Sequence, residues 1–283
     1  MSSPIGVHAL VFVGDTSPSS VSEAITRAAA AGYDLLEFSL HDSLNLDTAA
    51  ARTQLREAGL AVACSRGLAF DADVSSDDPE VVARGVALLE DSLRITRELG
   101  GQILTGALYS ALGKYGKPLT GAGRRNVVST LRDLAKQASG WDMTLGLEIC
   151  NRYETNVVNT AADALRLADD IGESNVVIHL DTYHMNIEED DFVRPVRLVG
   201  DRLGYVHVGE NHRGYLGAGH LDFTGFFHSL KDVGYNGPVT FESFSSAVVS
   251  TGLSSDLAVW RNLWDDGDDL ARHARRFIAG QLR

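Results

Sequence analysis

VVIHLDTYHMNIEEDD, residues 176–191, begins as a run that ought to be buried and changes character at Asp181. Val176 to Leu180 has the composition of a strand covered on both faces, as parallel strands in α/β proteins are. Asp181 closes the run, His184 follows three residues later, and four acids occupy 188–191. A hydrophobic strand that finishes in a carboxylate, with an imidazole just beyond, reads as a strand delivering ligands.

Seven further runs of this kind flank it, at 5–13, 33–40, 60–66, 101–108, 144–150, 204–209 and 238–244. Between them lie amphipathic stretches such as 21–32, 79–100 and 160–172, several ending in glycine, and Asp78-Pro79 has the form of a cap followed by a first-turn proline. Strict β/α alternation implies parallel strands joined by right-handed helical crossovers. Eight such units in 283 residues fit a single closed (β/α)8 barrel over 1–283. An open doubly wound sheet is disfavoured, because VFVGDTSPSS after the first strand is not a glycine-rich phosphate turn.

Composition excludes several function classes. A formal charge of -13 repels phosphate backbones, and no basic patch offsets it, so no nucleic-acid partner is expected. No segment supplies the ~18 apolar residues of a membrane span, so no membrane partner is expected either. MSSPIGVHALVFVG carries no basic leader, and two cysteines, Cys64 and Cys150, are too few for a disulfide scaffold. Together these make the cytoplasm the expected location. The acid runs at 188–191 and 265–269 read as solvated helix ends, and Cys64 as a buried, inert thiol. Trp260, Leu263 and Trp264 form an i, i+3, i+4 stripe expected on the last helix.

A barrel places its chemistry at the C-terminal ends of its strands. Glu148, Asp181, His207 and Glu242 lie at or near the ends of the last four runs, separated by 33, 26 and 35 residues, about one βα unit each. Any one of them alone reads equally well as a cap, an ion-pair partner or a core histidine. In register on consecutive strands they read as a cluster, and three carboxylates buried side by side require a cation. Oxygen donors with one imidazole suit Mn²⁺, with Co²⁺ or Mg²⁺ as alternatives. Asn151, Arg152, Tyr153 and Glu154, then His184, then Glu210, His212 and Arg213 follow these strands and could grip a polyhydroxylated molecule.

The stretches LEICNRYETNVVNT, HLDTYHMNIEE, YVHVGENHRGYLGAGHLDF, VTFESFSS and WRNLWDD resemble the D-tagatose 3-epimerase family of ketose 3-epimerases, which includes D-allulose and L-ribulose 3-epimerases. AGYDLLEFSL and DVSSDDPEVVARGVALL extend the resemblance over essentially the whole chain. It implies a xylose isomerase-like barrel, a homodimer or homotetramer, and a small ketose as substrate. By position, it implies that Glu148, Asp181, His207 and Glu242 hold a divalent metal against O2 and O3 of the sugar. Glu148 and Glu242 become the catalytic pair that removes and returns the C3 proton through an enediolate, and Glu154, His184 and Arg213 bind the C1–C2 end. Gly67, Phe12 and Tyr109 are added around the rest of the sugar. Base and acid on opposite faces are what inversion at C3 requires.

Two departures stand out. Phe12 occupies the place of a tryptophan in several relatives, and Arg66 in CSRGL puts a cation where they carry an uncharged residue. Pointing inward, Arg66 would favour a phosphorylated or acidic substrate; lying along the surface, it would change nothing. ALYSALGKYGKP, 107–118, is expected to shape the pocket for the distal carbons. Two other functions compete: an aldose-ketose isomerase on the same barrel, which would want a second metal site and a lysine, with Glu210 as the open question, and a non-catalytic sugar- or metal-binding barrel.

Overall fold

The run 176–181 forms a strand whose side chains alternate, as the two-residue period demands. Ile178 and Leu180 pack outward into the main apolar core, while His179 and Asp181 point into the barrel. Every strand follows this rule, and the computed structural model, which describes residues 3–41, 46–256 and 258–283, closes them into one ring. The strands are β1 (Ile5–His8), β2 (Leu35–Ser39), β3 (Ala61–Ser65), β4 (Ile103–Thr105), β5 (Thr144–Glu148), β6 (Val176–Asp181), β7 (Leu203–Val208) and β8 (Val239–Phe241). All pair in parallel in sequence order, and β1 pairs with both β2 and β8.

The helices are α1 (Pro18–Ala30), α2 (Thr48–Ala58), α3 (Pro79–Leu99), α4 (Gly121–Ser139), α5 (Ala161–Ile171), α6 (Thr182–Glu188), α7 (Arg194–Val199), α8 (Phe223–Asp232), α9 (Thr251–Asp256) and α10 (Gly267–Gln281). Their starts are chemically marked. Asp78 caps α3 by accepting from the Glu80 amide, with Pro79 in the first turn, and Thr160 and Asp163 form a reciprocal capping box on α5. Left-handed glycines end α2, α3 and α5.

The barrel interior is layered. Leu35, Ala63 and Tyr205 pack with Ile103 as an apolar floor. Above them, Glu37, Thr105, His179, His207 and Thr240 form a buried polar layer joined by hydrogen bonds. The register between β6 and β7 slips between Ile178 and His179, so that His179 faces Tyr205 and Asp181 faces His207. Gly204 sits at this irregularity, where a Cβ would lie 2.3 Å from Val177 Cγ2.

Two expectations change here. The run 5–13 is a strand only to His8, whose side chain accepts from the Leu10 amide and turns the chain into a short 3-10 helix, Ala9–Val11. The stripe Trp260, Leu263 and Trp264 precedes α10 and is not helical. Trp264 is buried and donates to Ser243 Oγ at 2.8 Å, whereas Trp260 is 75% exposed. Among the described residues, no helix is long and apolar enough to cross a membrane.

Candidate active site

Strand ends assemble the site. Glu148 and Asp181 are the last residues of β5 and β6, His207 is the penultimate residue of β7, and Glu242 directly follows β8. One donor atom from each of these four buried residues lies within 4.8 Å of the others. Asp181 serves two purposes: Oδ1 caps α6 by accepting from the Tyr183 amide at 2.7 Å, and Oδ2 faces the cluster. Helix α6 in turn carries His184 back over the barrel mouth, with Nε2 3.6 Å from Asp181 and 3.8 Å from Glu148. The acids at 188–191 act as holders. Glu188 binds Arg152 at 2.7 Å, Glu189 accepts from the Ala161 amide at the start of α5, and Asp191 pairs with Arg194.

The donor set fits a divalent metal. His207 Nε2 is anchored on Glu37 at 2.7 Å, which leaves Nδ1 buried and without a hydrogen bond, 3.3 Å from Glu148 and 3.5 Å from Glu242. A histidine ligand steered by a carboxylate on its far nitrogen is the common arrangement around bound metals. Glu37 also accepts from Tyr205 at 2.8 Å. Burial alone would raise its pKa, but His207 beside it holds the carboxyl well below the ordinary range. His207 is itself raised, because Glu37 and Glu242 outweigh its burial.

The two glutamates differ. Burial pushes Glu148 up to about 7, against the lowering effect of His207. Glu242 is equally buried, yet His207 and Arg213 together hold it below its usual value. Arg213 reaches Glu242 at 2.7 Å and Asp181 at 3.4 Å, and stacks 3.9 Å over the Tyr183 ring. Its backbone is left-handed, with φ at 59°, an uncommon conformation for a non-glycine residue. His184 is pulled down to about 4 by burial and stays neutral near pH 7. Its Nδ1 accepts from the Asn151 amide and side chain, so Nε2 carries the proton toward the cluster. Asn151 also holds Glu154 at 2.8 Å.

A cavity of about 440 Å³ opens on this cluster. Its walls include Glu148, Glu154, His184, Arg213, Glu242, Gly67 and Arg66. Neither Phe12 nor Tyr109 is among them. Because β1 ends at His8, Phe12 turns into the core beneath Arg27, whose guanidinium lies 5.0 Å over its ring. Tyr109 is fully buried and donates to the Glu148 carbonyl at 2.5 Å, bracing β5 from behind. Cys64 is likewise buried away from the cavity, and its thiol is pushed up to about 12 by burial. Glu210 clamps its own loop by accepting from the Asn211 and Gly217 amides. The groups able to hold a metal among the described residues all include Glu148, so Glu210 supplies no second centre.

Sequence reasoning missed Glu37, His8 and His179. Each shares the inward parity of a known candidate: His179 lies two residues before Asp181, and His8 pairs in register with Glu37. A charged residue in the middle of the mostly apolar LLEFS was the available signal.

Fold and site together define a xylose isomerase-like TIM barrel, and the model of that family matches residues 25–279. The chain is 48% identical over 273 residues to an L-ribulose 3-epimerase of Methylomonas sp. (strain DH-1), covering 96% of each. It is 45% identical to a ketose 3-epimerase of Arthrobacter globiformis, covering 98% of this chain and 96% of that one. A solved D-allulose 3-epimerase from Methylomonas sp. in complex with D-allulose superposes with a TM-score of 0.96 at 47% identity, over 99% of this chain and 97% of that one. The chain therefore belongs to the xylose isomerase-like TIM barrel family and, within it, to the ketose 3-epimerases, enzymes of the isomerase class.

Proposed function

We propose that the enzyme interconverts the C3 epimers of ketoses, with Glu148 and Glu242 exchanging the C3 proton from opposite faces. The relatives act on substrates of this class, and one has been solved with D-allulose. The observation that carries the reading is the pair itself. Two glutamates from β5 and the end of β8 converge within 4.8 Å, and only Glu242 has an arginine partner within 3 Å. Glu148, Asp181, His207 and Glu242 would hold a divalent cation, Mn²⁺ by the hardness of three carboxylates and one imidazole, which would supply positive charge against the negative charge that develops as the C3 proton leaves.

The chain's own residues do the rest. In one direction Glu242, kept ionised by Arg213 and His207, takes the C3 proton. Glu148 delivers a proton to the other face, and the roles reverse for the opposite epimer. The neutral His184 offers its Nε2 proton to a sugar oxygen, and Glu154, held by Asn151, accepts a hydroxyl. The whole chain works as one domain in the cytoplasm, consistent with its two buried free thiols, and as a homodimer or homotetramer, for which the exposed Trp260 is a natural contact.

The test is NMR in D2O with the Mn²⁺-loaded enzyme and D-fructose, D-tagatose, D-allulose or L-ribulose. Deuterium should enter C3 together with inversion. Glu148→Gln and Glu242→Gln should each reduce epimerisation by about 10²- to 10⁴-fold, the range for removing one acid-base group. Label at C1 with formation of an aldose would instead establish an aldose-ketose isomerase, unchanged epimerisation in both variants would show that neither glutamate carries the C3 proton, and no turnover of any ketose by the wild type would leave only a binding role.

A further inference from the structure

At the end of the cavity away from the carboxylates lies a cation, Arg66, with no ion-pair partner among the described residues. Arg66 directly follows β3, on the far side of the ring from β7 and from the metal cluster spread over β5 to β8. Its backbone is fixed, with the amide donating to Thr105 at 2.9 Å. Gly106 lets the chains approach this closely: a Cβ there would lie 2.4 Å from the Arg66 carbonyl. The side chain lines the cavity and is only 7% exposed, and Nε makes no hydrogen bond. Among the described residues, no carboxylate lies within 4.0 Å of its guanidinium and no hydrogen bond holds it. Arg213, the other arginine lining the cavity, is paired with Glu242 and Asp181.

A guanidinium buried without a partner is costly, since desolvation is not repaid by an ion pair. Leu68, Phe70, Leu88 and Leu112 supply an apolar wall to this part of the cavity. They make a neutral polyol end a poor replacement for the water a guanidinium loses, and they strengthen any charge pairing made there. Burial shifts Arg66 downward, and Asp91 on α3 offsets this only at a distance.

We propose that Arg66 is a specificity-determining residue that binds an oxyanion on the terminal carbon of the substrate, so that the preferred ketose is one bearing a carboxylate or phosphate at the end distal to C3. This rests on the ketose 3-epimerase reading above and names its substrate class. With C2 and C3 held at the cluster on β5 to β8, an extended sugar directs its last carbon across the mouth toward β3. There the planar fork of Arg66 can donate to two oxygens of the anion at once. No covalent step is altered; the proton transfer at C3 is the same.

The experiment compares D-fructose, D-fructuronate and D-fructose 6-phosphate on the Mn²⁺-loaded wild type, Arg66→Leu and Arg66→Lys. It measures binding by calorimetry and, separately, C3 deuterium exchange. At least one anionic ketose should bind the wild type more tightly than D-fructose, and Arg66→Leu should weaken that binding by roughly 10- to 100-fold, as for a hydrogen bond to a charged group. D-fructose should be unaffected or bind better to Arg66→Leu, and Arg66→Lys should recover part of the discrimination. A preference for D-fructuronate identifies a carboxylate terminus, and a preference for the 6-phosphate a phosphate ester. The subsite is overturned if neither anion binds more tightly than D-fructose, or if Arg66→Leu changes all three ligands alike. Arg66-dependent binding without C3 exchange would keep the subsite and refute the epimerase reading, so the two failures are separable.

Discussion

Glu37 decides how His207 could serve as a ligand to a bound cation. Its charge is 2.7 Å from His207 Nε2 and fixes which nitrogen faces the cluster. Glu37→Gln keeps the shape and an acceptor oxygen but removes the charge that makes the imidazole a strong donor. We expect Mn²⁺ affinity, measured by calorimetric titration, to fall about 10- to 100-fold, the usual cost of losing such an outer partner. An unchanged affinity would mean that Glu37 serves only to satisfy Tyr205. At this scale the convergence of Glu148, Asp181, His207 and Glu242 was legible because strand-end position and one-unit spacing are visible in a string of letters. Glu37 was not, because one acid in an apolar run is also what an exposed edge looks like, and only the closed ring shows that its face is the barrel interior. Phe12 and Tyr109 misled for a related reason. Their distance from the sugar depends on where β1 stops and on which side of β5 a loop side chain falls, and neither is encoded by spacing.

The loop between β7 and α8 shows how an element is shaped for the site. Arg213 reaches Glu242 from a left-handed backbone, and Ser243 Oγ, which receives the Trp264 indole proton, donates to the Arg213 carbonyl. Gly209 leaves the room: a Cβ there would meet Arg213 Nη1 at 2.8 Å. Gly209→Ala should push the guanidinium off Glu242 and lower kcat about 10²-fold, as an ångström-scale misplacement does. The melting temperature should change little by comparison. Equal losses in stability and activity would show instead that the loop backbone itself had moved. Element order was readable from the alternating runs and from capping chemistry such as Asp78-Pro79. The non-helical 260–264 segment was not. Trp264 is buried because it plugs the floor of this loop, and that tertiary role happens to fall at helical spacing from Trp260. The true helix start is marked by Asp266, which accepts from the amides of Asp268 and Asp269.

The whole molecule carries a stored cost at its centre. Glu148 is buried beside Asp181 and Glu242, and in the metal-free protein its ionisation there works against folding. Glu148 makes the sign of the effect explicit. Its folded value of about 7 lies above the ordinary 4.5, so the unfolded chain ionises first as pH rises. Between about pH 4.5 and pH 7 this carboxyl therefore withdraws stability, on the order of 3 kcal/mol for a shift of this size, and above pH 7 its contribution is level. Glu148→Gln removes the group. In EDTA, urea unfolding should show the variant gaining on the wild type from pH 5 to pH 8, with the difference reaching a plateau above pH 7. Saturating Mn²⁺ should reverse the order, because the ion binds only the folded state and binds the wild type better. If the metal-free proteins instead keep a constant difference from pH 5 to pH 8, Glu148 does not titrate with a raised pKa, and the asymmetry between the two glutamates must come from the metal rather than from the fold.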